Sequence, residues 1–206
     1  MHMLVVTWGF LQYASPTITP SYSLLFNVLV WATYSFLYMA LALLPAYLVA
    51  RFARINSKLT AILAIVLSSA ALLFMRADLM IFDLYNFHFN GFIWNLITTA
   101  GGVSSLGSGG DTYVSIALSV LLTIAIQCGL WLLGVKLAKN AKINMRWQYL
   151  AWLIAPMMLA QAVMYGVSDV KNYGPILSAA QAYPFYKKVT FRGLTEKMGI
   201  DRKSVV

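Results

Sequence analysis

The residues with the clearest chemical potential are basic and stand near the end of the chain. They are Lys187, Lys188, Arg192 and Lys197. A helix over residues 185–198 would place Phe191 and two further apolar side chains on one stripe, with Lys188 and Arg192 along its edge. Such a helix can lie on a bilayer, with its apolar stripe inserted and its bases against anionic headgroups. The pattern predicts a lipid-binding site, although a short connector to a following soluble domain would look similar.

A second group of polar residues lies near the ends of apolar runs. Arg76 and Asp78 close one run, and Asp169 closes another. Charges at membrane depth are costly and tend to face partners or wet cavities. This predicts an interhelical ion pair between Arg76 and Asp169, with simple extension of both side chains into the interface as the alternative.

The stretch YNFHFNGFIWN, residues 85–95, carries aromatics together with His88, Asn90 and Trp94. We call it the aromatic connection. Amphipathic rings favour the headgroup level of a bilayer, so the stretch is expected to lie along the membrane surface. A lone histidine among such rings is typical of a hydrogen-bonding anchor and not of a metal ligand.

No catalytic constellation is visible in the sequence. The only histidines are His2 and His88, and no two carboxylates share a helix face at a spacing of three or four residues. General acid–base catalysis by a carboxylate pair is therefore unsupported. We expect no catalytic residue, no metal site and no cofactor within this chain.

The composition indicates an all-α, polytopic helical membrane protein. The chain of 206 residues is 61% hydrophobic and 10% charged, whereas soluble domains carry about 25% charged residues. The net charge of +9 is not a sign of nucleic-acid binding, because the bases lie between apolar runs and do not form one patch. Their positions fit retention at the ends of membrane spans.

Five transmembrane helices are predicted, of which the first is truncated. Crossing a bilayer takes roughly 20 mostly apolar residues, and Met3–Tyr13 is too short. The four full spans are Leu24–Ala50, Leu59–Asp78, Tyr113–Val135 and Leu150–Val167.

The basic loops predict the orientation. Residues 51–58 and 136–146 together hold seven Lys or Arg, whereas residues 14–21 and 81–112 hold none. Loops rich in Lys and Arg stay in the cytoplasm. The N-terminus is therefore expected on the cytoplasmic side of the membrane, and the C-terminus on the outer side.

Three stretches follow one another along the chain, namely RADLMIFDLYNFHFNGFIWNLI, SDVKNYGPI and YPFYKKVTFRGLTEKMG. In their order and spacing the chain resembles the YejM family of bacterial inner-membrane proteins, also called PbgA or LapC. The matching positions in the first stretch are Asp78, Phe87, His88, Asn90 and Trp94. Those in the other two are Asp169, Tyr173, Pro175, Tyr183, Pro184, Arg192, Glu196, Lys197 and Gly199.

The resemblance implies a membrane domain followed by a periplasmic domain of the sulfatase-like fold. It also implies a regulator of outer-membrane lipid homeostasis that senses lipopolysaccharide and acts through a LapB-type membrane partner and proteolysis of LpxC. Lipid A would bind at Tyr183–Met198. The implied domains are a membrane domain at 1–170, a periplasmic membrane-surface linker at 171–200 and a non-native tail at 201–206. The sulfatase-like domain would be missing from this fragment.

Two alternatives stay open. The chain could instead anchor a lipid-headgroup phosphotransferase of the sulfatase and alkaline-phosphatase superfamily, whose catalytic residues would all lie in the missing domain. The aromatic connection could also be the surface on which that domain docks.

Overall fold

The computed structural model describes residues 1–14, 21–52, 57–99, 110–140 and 147–191, with the backbone alone at 110–113, 138–140 and 147–148. These residues form seven α-helices and one turn of 3-10 helix, with no strand among them. The helices are α1 (His2–Ala14), α2 (Ser21–Phe52), α3 (Ser57–Tyr85), α4 (Gly91–Thr98), α5 (Gly110–Asn140), α6 (Trp147–Val170) and α7 (Gly174–Ala179), and the 3-10 turn is Ala180–Ala182.

Four of these helices are long and apolar enough to cross a membrane, namely α2, α3, α5 and α6. The all-α polytopic fold and its four full spans are therefore confirmed. Helix α1 has 13 residues, which at about 1.5 Å per residue falls short of a 30 Å hydrocarbon layer. Helix α3 runs seven residues beyond the predicted end of its span, because a helix need not stop at the membrane border.

Large apolar side chains remain on the outside of the long helices. In the most apolar stretch of α5 only 11% of the residues are buried. Leu121 and Leu132 in this helix are more than 60% exposed. A water-soluble monomer rarely exposes a continuous apolar surface of this size. The exposed faces are the surface that lipid would cover.

The described chain forms two compact units that do not follow chain order. The first contains residues 1–6 and 36–144, and the second contains residues 7–35 and 145–206. Helices α1 and α2 are each divided between the two. The predicted domain boundaries at residues 170 and 200 stay predictions.

In the first unit, α3 and α5 pack along each other. The buried side of α3 is a stripe at helical spacing, made by Ala64, Ser68, Leu72, Met75, Asp78 and Phe82. Ser68 Oγ donates to Gln127 Oε1 of α5 at 3.3 Å, and Gln127 Nε2 lies 3.2 Å from His2 Nδ1. Hydrogen bonds between helices of this kind stabilise membrane bundles, where lipid gives no hydrophobic driving force.

In the second unit, the first half of α2 and the second half of α1 are joined by hydrogen bonds of hydroxyl and amide groups. Thr7 Oγ1 and Ser35 Oγ are 2.5 Å apart and both residues are buried. Asn27 Nδ2 donates to Ala14 O at 3.2 Å and so satisfies a carbonyl at the end of α1. Phe10, Phe26 and Val30 are fully buried around these bonds.

Candidate functional site

The chain after α6 folds back onto the second unit instead of leaving it. Helix α7 starts with Pro175 in its first turn, where the missing N–H of proline costs nothing. Ile176 and Ala179 are buried, as are Ala180 and Ala182 of the 3-10 turn. We call the following residues, 183–191, the tail segment.

A tight turn opens the tail segment. Tyr186 N donates to Tyr183 O at 3.3 Å, and the two central residues are Pro184 and Phe185. Phe185 has φ +59°, the left-handed conformation that a type II turn requires at this position. A phenylalanine adopts it rarely, so the turn is imposed by the packing of its neighbours.

Tyr183 is the first of these neighbours. Its ring is buried 6.5 Å from the ring of Phe10, and its Oη donates to Asn27 O of α2 at 3.1 Å. Burial raises the pKa of the Tyr183 hydroxyl well above its ordinary value. The hydroxyl therefore stays protonated and remains a hydrogen-bond donor.

Tyr186 is the second neighbour, and its ring lies in a cage of three others. The ring centroids of Phe26, Tyr34 and Tyr165 are 6.0, 5.3 and 5.5 Å away. Aromatic pairs at such distances contribute beyond the area that they bury. Burial raises the pKa of the Tyr186 hydroxyl, and the nearby Tyr34 and Tyr165 hydroxyls raise it further.

A backbone bond next to the cage fixes the course of the tail segment. Lys187 N donates to the hydroxyl oxygen of Tyr34 at 3.1 Å. Further along, the ring of Phe191 covers Gly166 of α6 so closely that a Cβ at Gly166 would collide with it. Glycine is therefore required at residue 166 for this packing.

The helix predicted over residues 185–198 is wrong for residues 185–191, which have no regular structure after the turn. Two features of the fold prevent these residues from forming the helix that their amphipathic spacing predicts. A turn with a left-handed Phe185 cannot start an α-helix, and Tyr186 must reach its cage. Phe191 consequently lies against Gly166 instead of on a lipid-facing helical stripe.

The side chains of Lys187 and Lys188 are exposed, on a backbone that the Tyr186 cage holds in place. Arg192 and Lys197, the other two bases predicted to bind lipid, lie outside the described residues. Two of the four predicted bases are thus exposed neighbours on this segment, and their role in lipid binding stays a prediction.

Most residues that hold this segment were not predicted from the sequence, namely Asn27, Tyr34, Tyr165, Gly166 and Tyr186. Tyr183 was selected only through the family resemblance, without its structural role. The signal for the turn was present in the Tyr-Pro-Phe triplet. The partners of the tyrosines lie about 150 residues away in α2 and could not be read from local spacing.

The polar residues predicted at the ends of spans lie in two different settings. Asp78 is 1% exposed and accepts hydrogen bonds from His88 Nδ1 at 2.8 Å and from Phe89 N at 2.6 Å. Arg76 is exposed and Asp169 is buried. They belong to different units, and their ion pair stays a prediction.

Within the aromatic connection, Asn90 caps α4. Its side-chain oxygen accepts from Phe92 N at 3.0 Å and from Ile93 N at 3.2 Å, as is typical of an asparagine at this position. The Trp94 ring lies 6.4 Å from the Phe89 ring and is 61% exposed. His88 stacks on Phe82 with 4.7 Å between ring centroids.

In the part of the chain that the structure describes, no three His, Cys, Asp or Glu side chains lie close enough to hold a metal ion. Cys128, a free thiol in α5, is partly exposed.

Comparison with protein families and with curated proteins gives one family. No curated protein matches the chain. A family model described as a domain of unknown function matches residues 1–205, which is nearly the whole sequence. The chain is therefore a member of the DUF3413 family of domains of unknown function.

Proposed function

We propose that this chain is the membrane domain of an inner-membrane protein that senses lipopolysaccharide and regulates outer-membrane lipid homeostasis. The observation that supports this most directly is the tail segment. It is fixed to α2 and α6 through Tyr183, Tyr186 and Phe191, while Lys187 and Lys188 are exposed. Two exposed ammonium groups on a backbone that is held in place suit the phosphates of lipid A.

The lengths of two helices support a position of these lysines at a headgroup level. Tyr34 precedes Arg51 by 17 residues in α2, and Tyr165 follows Trp147 by 18 residues in α6. At about 1.5 Å per residue both tyrosines stand roughly 26 Å from the basic-loop ends of their helices. Both touch Tyr186, so Lys187 and Lys188 come close to the far border of a 30 Å hydrocarbon layer.

The basic loops give the side of the membrane. Arg51 lies in the last turn of α2, Lys58 in the first turn of α3, and Lys136 near the end of α5. If these ends face the cytoplasm, as loops rich in Lys and Arg do, the tail segment faces the periplasm. Lipid A that accumulates in the outer leaflet of the inner membrane would then meet it.

The proposed output is a change in a membrane partner of the LapB type. The tail segment touches α2 and α6, which are long enough to cross the bilayer. A lipid that stabilises the docked tail segment also stabilises that arrangement of both helices. The regulator would read this arrangement within the membrane or on its cytoplasmic side.

Binding of lipid A to the purified protein in nanodiscs tests the proposal. Substitution of Lys187 and Lys188 by alanine should weaken binding by about 1 kcal/mol each, or roughly 30-fold together. The matched control replaces Lys58 and Lys136, two exposed bases at the other ends of their helices, and should leave affinity unchanged. A third variant combines Arg192→Ala with the alanine substitutions of Lys187 and Lys188. If this triple variant binds lipid A as tightly as the unmodified protein does, the proposal is wrong.

A further inference from the structure

We propose that α4 is a helix that lies in the membrane interface, between the acyl chains and the headgroups, and that contacts lipid without binding a charged headgroup. Asp78 sets the depth of α4 in the membrane. Trp94 and Ile97 would be its inserted side chains. This inference concerns the first unit and is independent of lipid recognition by the tail segment.

The depth of Asp78 follows from the length of α3. Lys58 is exposed at the start of the helix, and Asp78 lies 20 residues further on. At about 1.5 Å per residue this is 30 Å, the thickness of the hydrocarbon layer. A lysine at one interface therefore puts the Asp78 carboxylate at the other.

Asp78 then brings the chain back to its own level. Helix α3 continues seven residues to Tyr85 and stops where Asn86 has φ +57°. The chain reverses, and His88 Nδ1 and Phe89 N bond to the two carboxylate oxygens of Asp78. Asn90 follows immediately and starts α4, so this helix begins at the depth of Asp78.

The faces of α4 suit this position. With about 100° between successive residues, the polar side is formed by Gly91, Asn95 and Thr98. Ile93 is 2% exposed and lies against the protein. Trp94 and Ile97 lie about 60° apart on one side of the buried residue and are 61% and 42% exposed.

An apolar path connects Trp94 with the lipid-facing side of α3. Trp94 contacts Phe89, and Phe89 contacts Phe74 with ring centroids 5.5 Å apart. Phe74 is 38% exposed one helical turn below Asp78, at hydrocarbon depth. The exposed flank of α4 thus continues a surface that acyl chains would already cover.

The charge of the region selects the kind of lipid contact. Between Asp83 and Asp111 the sequence holds no Asp, Glu, Lys or Arg. The surface cannot attract anionic headgroups, and its affinity for the bilayer must come from aromatic and aliphatic burial, as tryptophan at interfaces provides. Insertion of α4 is therefore expected to be insensitive to salt.

Spin labelling of the full chain tests this directly. In a Cys128→Ser background, single cysteines replace Ile97, Phe92 or Asn95, and the labelled protein is placed in vesicles of phosphatidylethanolamine and phosphatidylglycerol. Collisions with oxygen should dominate at residue 97 and those with a polar nickel reagent at residue 95, at low and high salt alike. Water-like accessibility at both positions would overturn the inference. Protection of residue 97 from both reagents would also overturn it, since protein and not lipid would then cover the face.

A second variant tests the role of Asp78. With the label at residue 97, Asp78→Asn should lower the ratio of oxygen to nickel collisions, because the asparagine cannot accept both bonds as a carboxylate does. Asp83→Asn removes the same charge from an exposed position on the same helix and should leave the ratio unchanged. Equal ratios in the two variants would reject the depth-setting role of Asp78. If Asp78→Asn fails to fold, the label at residue 97 in the Asp78 protein still decides whether α4 is inserted.

Discussion

The tail segment and the aromatic connection are held in place in a similar way, but they expose different kinds of side chain. In each, a short non-helical stretch is fixed to a long apolar helix by a buried polar or aromatic group. The tail segment uses Tyr183 and Tyr186 and exposes two lysines. The aromatic connection uses Asp78 and exposes rings without charge. The difference shows that the position of a segment and the chemistry of its exposed surface are set by separate residues.

Removal of the Tyr186 ring should have the largest effect, and it should release the tail segment without affecting the aromatic connection. Tyr186→Ala leaves the cage of Phe26, Tyr34 and Tyr165 unfilled and should cost about 3 kcal/mol. Limited proteolysis should then cut the tail segment faster, while the aromatic connection keeps its resistance. Tyr186→Phe keeps the ring and is the control. If Tyr186→Ala and Tyr186→Phe are cut at the same rate, the cage does not hold the segment.

Overpacking at Gly166 should have the next largest effect. A Cβ at this residue collides with the Phe191 ring, so Gly166→Ala should destabilise the folded protein by about 2 kcal/mol. Gly129→Ala is a matched control, because a Cβ there meets no neighbour within 4 Å and alanine favours a helix. Thermal unfolding in detergent should give opposite signs for the two variants. The same sign would contradict the contact between Phe191 and Gly166.

Alkaline pH should loosen the tail segment selectively. The pKa of the buried Tyr183 hydroxyl is raised above its ordinary value of 10.0, so its contribution is complete below pH 10 and is lost as pH rises toward the folded-state pKa. Each pH unit above 10 favours the unfolded form by up to about 1.4 kcal/mol. Unfolding midpoints of the unmodified protein and of Tyr183→Phe measure this. A slope that is unchanged in Tyr183→Phe would assign the effect to other groups.

Loss of the helix cap should have the smallest effect, confined to the aromatic connection. Asn90→Ala removes the acceptor of Phe92 N and Ile93 N and should cost about 1 kcal/mol. Hydrogen exchange of these two amides should accelerate in Asn90→Ala and return close to its original rate in Asn90→Asp. Unchanged exchange in Asn90→Ala would mean that the cap does not maintain α4.

The comparison also separates what could be predicted from what could not. The four long helices follow from composition alone, because only continuous apolar runs can cross a bilayer. Lys187 and Lys188 are exposed, and their binding to lipid stays a prediction. The helix expected to carry them was wrong over residues 185–191, because local periodicity contains no information about the distant cage that receives Tyr186.

Asp78 and His88 were both selected from the sequence, but their hydrogen bond was not. They are ten residues apart, and only the reversal at Asn86 brings them together. Asn90 could have been recognised as a cap from its type and the apolar residues after it. The position of Asn90 at the same level as Asp78 depends on the chain reversal and could not be predicted from the sequence.

The amino-acid sequence by itself determined that this chain is a set of long apolar helices with bases at selected ends, since hydropathy and charge act through each residue's own transfer free energy. The tertiary structure decided which short segments are held against the long helices. That decision required partners far apart in the chain, such as Tyr183 and Asn27, whose contact exists only once the helices have packed.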